Sequence, residues 1–312
     1  MYLQFFGVRG SIPKPITQND FAQKLESAIQ SITPDDLLST ATRNEFLKNL
    51  PPWISTVIGG NTACLECKTQ SGVHLIFDAG SGIKALGNKI QKQQLHPVHI
   101  FLSHLHWDHI QGLPFFSPLF NPNQEIHFYG VHDLEQALTV QMKSPYFPVE
   151  YEQLSKKIFF HRLTENSIVK INDVTIELKK MRHPGDSYSY KVTDSDGKNF
   201  IYATDVELKA ENFSENQLNE HFFANTDLLI LDAQYTLTEA LEKENWGHSS
   251  FCYGIDFATK WNIKKLYLFH HEPEYSDAKL FSILAKSRMY SKFVCGNKIS
   301  IFLAQEGDFI RL

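Results

Sequence analysis

The sequence predicts a layered α/β sandwich, with β-strands inside and helices outside. Short β-branched and aromatic runs alternate with helical patterns along the whole chain, and no repeat of 20–50 residues is visible. A chain of 312 residues with 42% hydrophobic and 21% charged residues is long enough to bury a large core. We therefore expect one domain over residues 1–312, with a helical insertion at residues 16–55.

The expected elements follow from apolar runs bounded by turn residues and from apolar residues at helical spacing. In chain order, the expected strands are Tyr2–Phe6, Ala63–Thr69, Val73–Phe77, Val98–Leu102, Glu125–Tyr129, Val174–Lys179, Tyr188–Val192, Phe200–Tyr202, Asp227–Leu231, Lys265–Phe269 and Ile299–Leu303. The expected helices outside the insertion are Gly82–Gln94, Asp133–Val140, Ser249–Asn262 and Ser276–Ser291.

The insertion, between Pro15 and Trp53, is predicted to be a pair of helices. The second is expected to begin at Thr33–Asp36, which supplies an N-cap, a proline and two acidic residues. Because each helix has one apolar stripe, each must pack on something. We favour a hairpin laid on the domain surface over the alternative, a substrate lid or dimer arm. The stripe of the first helix comprises Phe21, Leu25, Ala28, Ile29 and Ile32.

Composition excludes several classes of protein. Four cysteines are too few for a disulfide scaffold, and the N-terminus offers no apolar core of a signal peptide. No apolar run approaches the roughly 20 residues of a membrane-spanning helix. We expect a cytoplasmic protein that does not bind membranes. The net charge of −5, without a long basic run, argues against long nucleic acid as the main partner.

The segment His104-Leu105-His106-Trp107-Asp108-His109 directly follows an expected buried strand. Its four potential metal ligands would be costly inside a core, but here they stand where the strand emerges at a sheet edge. Imidazole and carboxylate groups suit zinc, manganese and iron, and one short loop can direct side chains at two adjacent ions. The segment therefore predicts a metal site.

This segment resembles the signature motif of metallo-β-lactamase fold hydrolases, and other segments agree with that family in order and spacing. Phe77–Gly80, with Asp78, is similar to the first motif, and Leu266–His270 is similar to the segment that carries the last ligand. The resemblance runs from Tyr2 to about residue 303. It implies a four-layer αβ/βα sandwich. The remaining two similar segments are Met181–Gly185, which contains His183, and Tyr202–Asp205.

The same resemblance implies two divalent ions, with zinc as the leading candidate and Mn²⁺ or Fe²⁺ as alternatives. Asp205 would bridge the two ions. Asp78 and Asp232 are expected to orient ligand imidazoles without binding metal themselves. His271 neighbours His270, but we choose His270 because it follows the strand directly. One ion would be bound by His104, His106 and His183, and the other by Asp108, His109 and His270.

The segment Trp246–Ser250 resembles the His-Ser-Thr loop of ribonuclease Z-like phosphodiesterases. This resemblance implies that His248 donates a proton to the leaving oxygen or stabilises the transition state, and that Asp108 is catalytic as well as a ligand. The alternative is a histidine that merely caps the following helix. Ser249, beside that helix N-terminus, is expected to contact an anionic substrate.

Other substrate contacts are expected near the N-terminus and in the middle of the chain. Phe6–Pro13 and Gly59–Cys64 resemble a bacterial group of cyclic-nucleotide phosphodiesterases, in which Asn61 and Thr62 would donate hydrogen bonds to phosphate. Alternatively, Gly59-Gly60 is simply a turn. Tyr146 and Phe147 are expected to line a pocket and stack on a base, whereas Phe159 and Phe160 are expected in the core. Cys64 and Cys67 should face opposite sides of a strand.

Together, these features predict a metal-dependent phosphodiesterase that hydrolyses a small phosphodiester, with a cyclic nucleotide as the leading candidate. A hydroxide bridging the two ions would attack phosphorus while His248 assists the leaving oxygen. The alternatives are a ribonuclease Z-like transfer-RNA 3′ endonuclease, a thioester or lactone hydrolase, and a non-enzymatic nucleotide-sequestering protein. By analogy with the family we expect a homodimer.

Overall fold

The computed structural model describes residues 1–165 and 167–312. Within this part of the chain, fourteen strands form two seven-stranded sheets. The strands are β1 Tyr2–Gly7, β2 Cys64–Lys68, β3 His74–Phe77, β4 Val98–Phe101, β5 Ile126–Gly130, β6 Ile158–Arg162, β7 Ile168–Ile171, β8 Val174–Met181, β9 Ser187–Thr193, β10 Asn199–Ala203, β11 Leu228–Asp232, β12 Lys265–Phe269, β13 Ser300–Leu303 and β14 Phe309–Arg311.

Eleven α-helices accompany the strands in the described residues. They are α1 Gln18–Ser31, α2 Thr40–Asn49, α3 Pro52–Ser55, α4 Ile83–Ile90, α5 Trp107–Ile110, α6 Leu134–Gln141, α7 Ala210–Phe213, α8 Gln217–Phe223, α9 Leu237–Glu242, α10 Phe251–Lys260 and α11 Asp277–Cys295. The eleven expected strands are all present, and β6, β7 and β14 are additional.

Each sheet is antiparallel in one half and parallel in the other. The first sheet has the order β14-β1-β2-β3-β4-β5-β6, and its strands β3 to β6 run parallel. The second has the order β13-β12-β11-β10-β9-β8-β7, and its strands β10 to β13 run parallel. Since carboxyl ends of parallel strands share one edge of a sheet, residues that follow β3, β4, β10, β11 and β12 gather there.

The packing of side chains shows four layers. Phe77 and Phe101 stack with ring centroids 5.6 Å apart and belong to the core between the sheets, which also contains Tyr190 and Tyr202. Their neighbour Ile76 points to the other face and packs in a second core with residues of α4 and α6. Helices α10 and α11 cover the outer face of the second sheet. The predicted αβ/βα sandwich is confirmed.

The alternation of side chains across strands also accounts for the cysteines. Cys67 lies in the core between the sheets, and Cys64 lies in the outer core. Both are free thiols. The two side chains face opposite sides of β2, as expected for strand residues three apart.

The insertion differs from the expectation in two ways. Thr33–Leu37 forms a capped 3₁₀ turn, and the second helix begins only at Thr40, capped by Ser39. The apolar stripe of α1 does not pack as expected, since Phe21 is 61% exposed and Ile29 is 62% exposed. Lys24 of α1 nevertheless pairs with Asp277 of α11 at 2.8 Å, and the choice between a surface hairpin and a lid or dimer arm stays a prediction.

Two further findings concern exposure. Phe160 packs on the outer core as expected, but Phe159 is 44% exposed, so its expected place in the core was wrong. It lies on β6, an edge strand, where its ring stacks on His127.

In the described part of the chain, no helix has the length and hydropathy needed to cross a membrane.

Candidate metal centre

The predicted ligands converge where the parallel strands end. His104 follows β4, Asp205 follows β10 and His270 follows β12. Asp205 (φ 50°) and His270 (φ 59°) have left-handed backbone conformations, which residues other than glycine seldom adopt. Backbone strain of this kind concentrates at functional sites, where it directs side chains that a regular strand would direct elsewhere.

One group of ligands consists of His104, His106 and His183 with Asp205. His106 Nδ1 lies 3.1 Å from His183 Nε2. Asp205 Oδ1 lies 3.5 Å from His183 Nε2 and 3.7 Å from His104 Nε2. His104 and His183 are buried, and His106 is exposed, so this half of the centre opens to solvent.

The second group consists of Asp108, His109 and His270 with the same aspartate. Asp108 Oδ2 lies 3.2 Å from His109 Nε2 and 3.1 Å from His270 Nε2. Asp205 Oδ2 lies 2.9 Å from His109 Nε2 and 3.2 Å from His270 Nε2. All four residues of this group are buried.

The two oxygens of Asp205 therefore face different ligand groups. Oδ1 faces His104 and His183, whereas Oδ2 faces His109 and His270. A carboxylate in this position can contact two neighbouring cations at once. The structure thus brings together all seven residues predicted to bind metal.

Buried polar atoms and charge both indicate that cations fit here. His104 Nε2 and His109 Nε2 are buried without a hydrogen-bond partner of acceptable geometry. Burial alone would raise the pKa of Asp205, but His109, His270 and His104 hold it well below its ordinary value, so this carboxylate is ionised. Imidazole nitrogens with carboxylate oxygens form a donor set suited to zinc, manganese or iron.

A shell of hydrogen bonds fixes the ligand side chains. Asp78 Oδ2 lies 2.8 Å from His109 Nδ1 and also accepts a hydrogen bond from Tyr202 Oη at 2.8 Å. Ser103 Oγ donates to Asp78. Burial lowers the pKa of His109, but Asp205, Asp108 and Asp78 together raise it well above its ordinary value.

His248 lies over the centre, between the two ligand groups. Its ring stacks on His270 at 5.1 Å and 18° and meets His183 edge-on at 5.1 Å. His248 Nδ1 lies 2.6 Å from Asp232 Oδ2. Because a carboxylate accepts hydrogen bonds, Asp232 keeps a proton on His248 Nδ1. The second ring nitrogen, Nε2, is then the one that can contact a substrate. Asp232 was expected to orient a ligand imidazole, but the imidazole that it contacts is His248.

Three residues predicted to contact substrate are used inside the protein instead. Asn61 Nδ2 donates to Glu306 Oε2 at 2.9 Å, and buried Thr62 accepts hydrogen bonds from Ser81 N and Gln111 Nε2. Ser249 is buried and donates to the Val206 carbonyl oxygen at 2.5 Å.

Gly60, Ser250 and His271, each next to a predicted site residue, also make contacts within the protein. A Cβ at Gly60 would lie 2.1 Å from the Lys14 carbonyl oxygen, so the glycine pair serves a close chain crossing. Ser250 caps α10 by accepting a hydrogen bond from Tyr253 N. His271 points away from the centre, with Nε2 2.9 Å from the Ala304 carbonyl oxygen, in line with the choice of His270.

The two predicted aromatic wall residues have different environments. Tyr146 is 81% exposed and lines a cavity of about 730 Å³. Phe147 is partly buried, meets Phe115 edge-on at 5.6 Å and packs on the outer core. Phe147 therefore supports the wall without lining the cavity.

Several residues that support the centre were not predicted from the sequence. Ser11 N donates to Asp108 Oδ2 at 2.7 Å, and Thr204 Oγ1 donates to Asp205 Oδ2 at 2.6 Å. A Cβ at Gly10 would lie 2.5 Å from the His270 ring, which explains why glycine stands there. The position of Thr204, directly before a ligand, was the available signal. The partnership of Ser11 with Asp108 spans 97 residues and gave no local signal.

Replacing Gly247 with alanine is expected to weaken metal binding. The new Cβ would lie 2.2 Å from His183 Nδ1, so the His183 ring must shift and lose its hydrogen bond to the Gly247 carbonyl oxygen. Losing such a partner costs about 10–100-fold in metal affinity. Metal retained after dialysis against a graded chelator, measured by elemental analysis, tests this expectation.

The matched control is Gly72→Ala. Gly72 has φ +86° and Gly247 has φ +91°, so alanine is similarly strained at both, but no heavy atom lies within 4 Å of a Cβ at Gly72. Gly72→Ala should keep its metal. Equal metal retention by the two variants would show that the His183 contact does not matter.

Comparisons with known proteins agree with this geometry. A family model described as "Beta-lactamase superfamily domain" matches residues 74–271. Ribonuclease Z of Picrophilus torridus is 23% identical over 283 residues, which cover 76% of this chain and 89% of that protein.

Two solved structures resemble the whole fold. The metallo-beta-lactamase fold protein YhfI from Bacillus subtilis has a TM-score of 0.64 and 15% identity, with 99% of each chain covered. Unliganded yeast PDE1 has a TM-score of 0.56 and 15% identity, covering 100% of this chain and 99% of that chain. At these identities the structural likeness shows the fold alone.

Proposed function

This chain belongs to the beta-lactamase superfamily, and on that premise we propose that it is a metal-dependent phosphodiesterase acting on a small phosphodiester, with a cyclic nucleotide as the leading candidate. The observation that carries the proposal is the position of His248. Metal ligands alone would serve many hydrolases of this fold, but a histidine held by Asp232 over both ligand groups suits a reaction in which a leaving oxygen needs a proton.

The seven converging residues would hold two divalent ions, with zinc as the leading candidate. His104, His106 and His183 would hold one ion, Asp108, His109 and His270 the other, and Asp205 would contact both. Ions so placed supply a nucleophile at neutral pH and stabilise negative charge on phosphoryl oxygens. Asp78 fixes the His109 ring through the hydrogen bond described above.

The roles of the chain's own groups follow from their contacts. The open side at His106 admits the substrate, and the buried side at His109 excludes water. Asp232 keeps His248 Nδ1 protonated, so that Nε2 is the atom that faces the reacting phosphate. A protonated Nε2 would donate its proton to the departing ribose oxygen. Asp108 is fixed by the Ser11 N–H and contributes to both binding and catalysis.

A panel of substrates tests the proposal directly. Purified protein is incubated with bis(p-nitrophenyl) phosphate, cyclic mononucleotides and cyclic dinucleotides, each with zinc, manganese or chelator. We expect metal-dependent hydrolysis of at least one cyclic nucleotide and loss of activity with chelator. The proposal is wrong if no phosphodiester is hydrolysed under any metal condition.

The same panel separates the alternatives. The matches to ribonuclease Z make a transfer-RNA 3′ endonuclease the second candidate, and preferential cleavage of precursor transfer RNA would establish it. Hydrolysis of a thioester or lactone in place of phosphodiesters would identify the third. Recovery of bound, unaltered cyclic nucleotide would identify a sequestering protein.

We also propose that the chain forms a homodimer through the insertion. Leu25 and Leu47 are 51% and 56% exposed and line one groove between the inserted helices. Burying such side chains against a second copy would remove apolar surface from water. Light scattering should give twice the chain mass, and Leu25→Glu should shift it towards the monomer. A monomeric wild-type protein would contradict this proposal.

A further inference from the structure

The cavity of about 730 Å³ opens directly beside the metal-ligand loop. Leu105 and Trp107 line it, and they alternate along the chain with the ligands His104, His106 and Asp108. The opposite wall is formed by α6 and the segment after it. Its volume lies within the roughly 300–1,000 Å³ typical of small-molecule sites. The cavity and the metal centre therefore share one chain segment, Leu105–Asp108.

Two exposed aromatic rings line the cavity. Trp107 is 68% exposed and Tyr146 is 81% exposed, and within the described residues neither ring stacks on another aromatic side chain. By contrast, neighbouring Phe147 meets Phe115 edge-on. Rings left open to solvent beside a reaction centre are the platforms on which planar bases stack.

The cavity also presents one buried acceptor that has no partner. Gln141 Nε2 donates to the Ile110 carbonyl oxygen at 2.9 Å, and because a carbonyl can only accept, this bond fixes which end of the amide is free. The free end is Oε1, which is buried and lacks a hydrogen-bond partner. Leaving such an acceptor unsatisfied is costly, so it points to a donor on a ligand.

The carboxylate of Asp133, which also lines the cavity, already has partners within the protein. Asp133 accepts a hydrogen bond from Gln136 N at 3.0 Å as the N-cap of α6, and it lies 3.8 Å from Arg162. These contacts make Asp133 part of the helix end. Among the described residues that line the cavity, Gln141 Oε1 is the buried acceptor without a partner.

We propose that this cavity is a base site for an amino-bearing heterocycle of the adenine type. The ring stacks on Trp107 and Tyr146, its exocyclic amino group donates to Gln141 Oε1, and its phosphate lies at the metal centre. The inference rests on the proposed function for the position of the phosphate. A bicyclic purine offers more stacking area to two aromatic side chains than a pyrimidine does.

The test measures binding, separately from turnover. Zinc-loaded protein is titrated calorimetrically with adenosine 5′-monophosphate and with ribose 5-phosphate, which has the same phosphate but no base. Neither is a diester, so neither is consumed by the proposed reaction. We expect the nucleotide to bind at least about tenfold more tightly, since stacking on aromatic side chains is worth about that much.

Substitutions of the aromatic residues test whether the base binds in this cavity. Trp107→Ala should abolish most of the difference between the two ligands, and Tyr146→Ala, which lies far from the metal ligands in the chain, should reduce it even if Trp107→Ala disturbs the loop. Phe293→Ala removes a ring that is 90% exposed on α11 and should change nothing. Equal affinities for nucleotide and ribose phosphate in the wild-type protein would overturn the base site.

The amino group is tested by changing the ligand. Purine riboside 5′-monophosphate keeps the ring but lacks the amino group, and it should bind about fivefold more weakly than the adenine nucleotide. Equal binding would overturn the role of Gln141. Hydrolysis of bis(p-nitrophenyl) phosphate without base-dependent binding would leave the proposed function intact and remove the base site. Base-dependent binding without any diester hydrolysis would support the base site and contradict the proposed function.

Discussion

Replacing Asp205 with alanine is expected to reduce phosphodiester hydrolysis by about a thousandfold or more and to release metal from both halves of the centre. Two metal ions supply several kcal/mol of transition-state stabilisation, and each 1.36 kcal/mol corresponds to about tenfold in rate. Asp205 is the residue whose two oxygens face different ligand groups, so its loss affects both. Elemental analysis and steady-state kinetics measure the two effects.

A second substitution at this position makes the test sharper. Asp205→Asn keeps the shape of the side chain but only one carbonyl oxygen, so it should retain at most one ion per chain. The matched control is Asp173→Ala, because Asp173 is an exposed aspartate that accepts a hydrogen bond from Ser71 Oγ at 2.6 Å. Asp173→Ala should keep both ions. An Asp205→Ala variant with full metal content would contradict the bridging role.

The metal ligands were predictable because their positions depend on local pattern and topology. His104–His109 is dense enough to stand out alone, whereas Asp78, Asp205 and His270 were identified through the resemblance to metallo-β-lactamase fold hydrolases. The meeting of the carboxyl ends of parallel strands explains why these residues converge after β3, β10 and β12. A layered sandwich was predictable from the many strands with interspersed helices, and the resemblance implied its four αβ/βα layers. The structure shows the physical reason, since side chains alternate between two cores along β3 and β4.

The substrate contacts were less predictable because their partners lie far away in the chain. Asn61 bonds to Glu306, a residue 245 positions later, and Ser249 bonds to the backbone of Val206. A serine at a helix N-terminus can bind an anion, or it can form a hydrogen bond to the backbone of another loop. No local sequence pattern distinguishes these two roles. Trp107 was overlooked for the opposite reason. It stands among four metal ligands, and its exposure became visible only in three dimensions.

Asp232 lies where it was predicted, but the fold gives it a different histidine partner. The sequence places a carboxylate at the end of a central strand, which is where groups that orient ligands are found. The loop before α10, however, brings His248 to within 2.6 Å of that carboxylate. Asp232 therefore positions a histidine that lies over the centre.

Replacing His248 with alanine is expected to lower kcat for a cyclic nucleotide by about 10²–10⁴-fold, the range for a positioned general acid, with metal content unchanged. A departing ribose alkoxide is strongly basic and needs a proton, whereas p-nitrophenolate leaves without one. Hydrolysis of bis(p-nitrophenyl) phosphate should therefore fall far less. His221→Ala, which removes a surface histidine paired with Glu177, should change neither activity.

The ratio of the two losses identifies what His248 does. A large loss on the nucleotide with a small loss on the aryl ester indicates proton donation. Equal large losses indicate stabilisation of charge on the transition state, and no loss on either substrate would mean that His248 has no part in catalysis. Asp232→Asn should follow the same ratio with a smaller loss, about 10–100-fold, because an amide can no longer hold the proton on Nδ1. An Asp232→Asn variant with unchanged activity on both substrates would contradict this positioning role and would leave Asp232 only its hydrogen bonds from the backbone N–H groups of Val206 and Gln234.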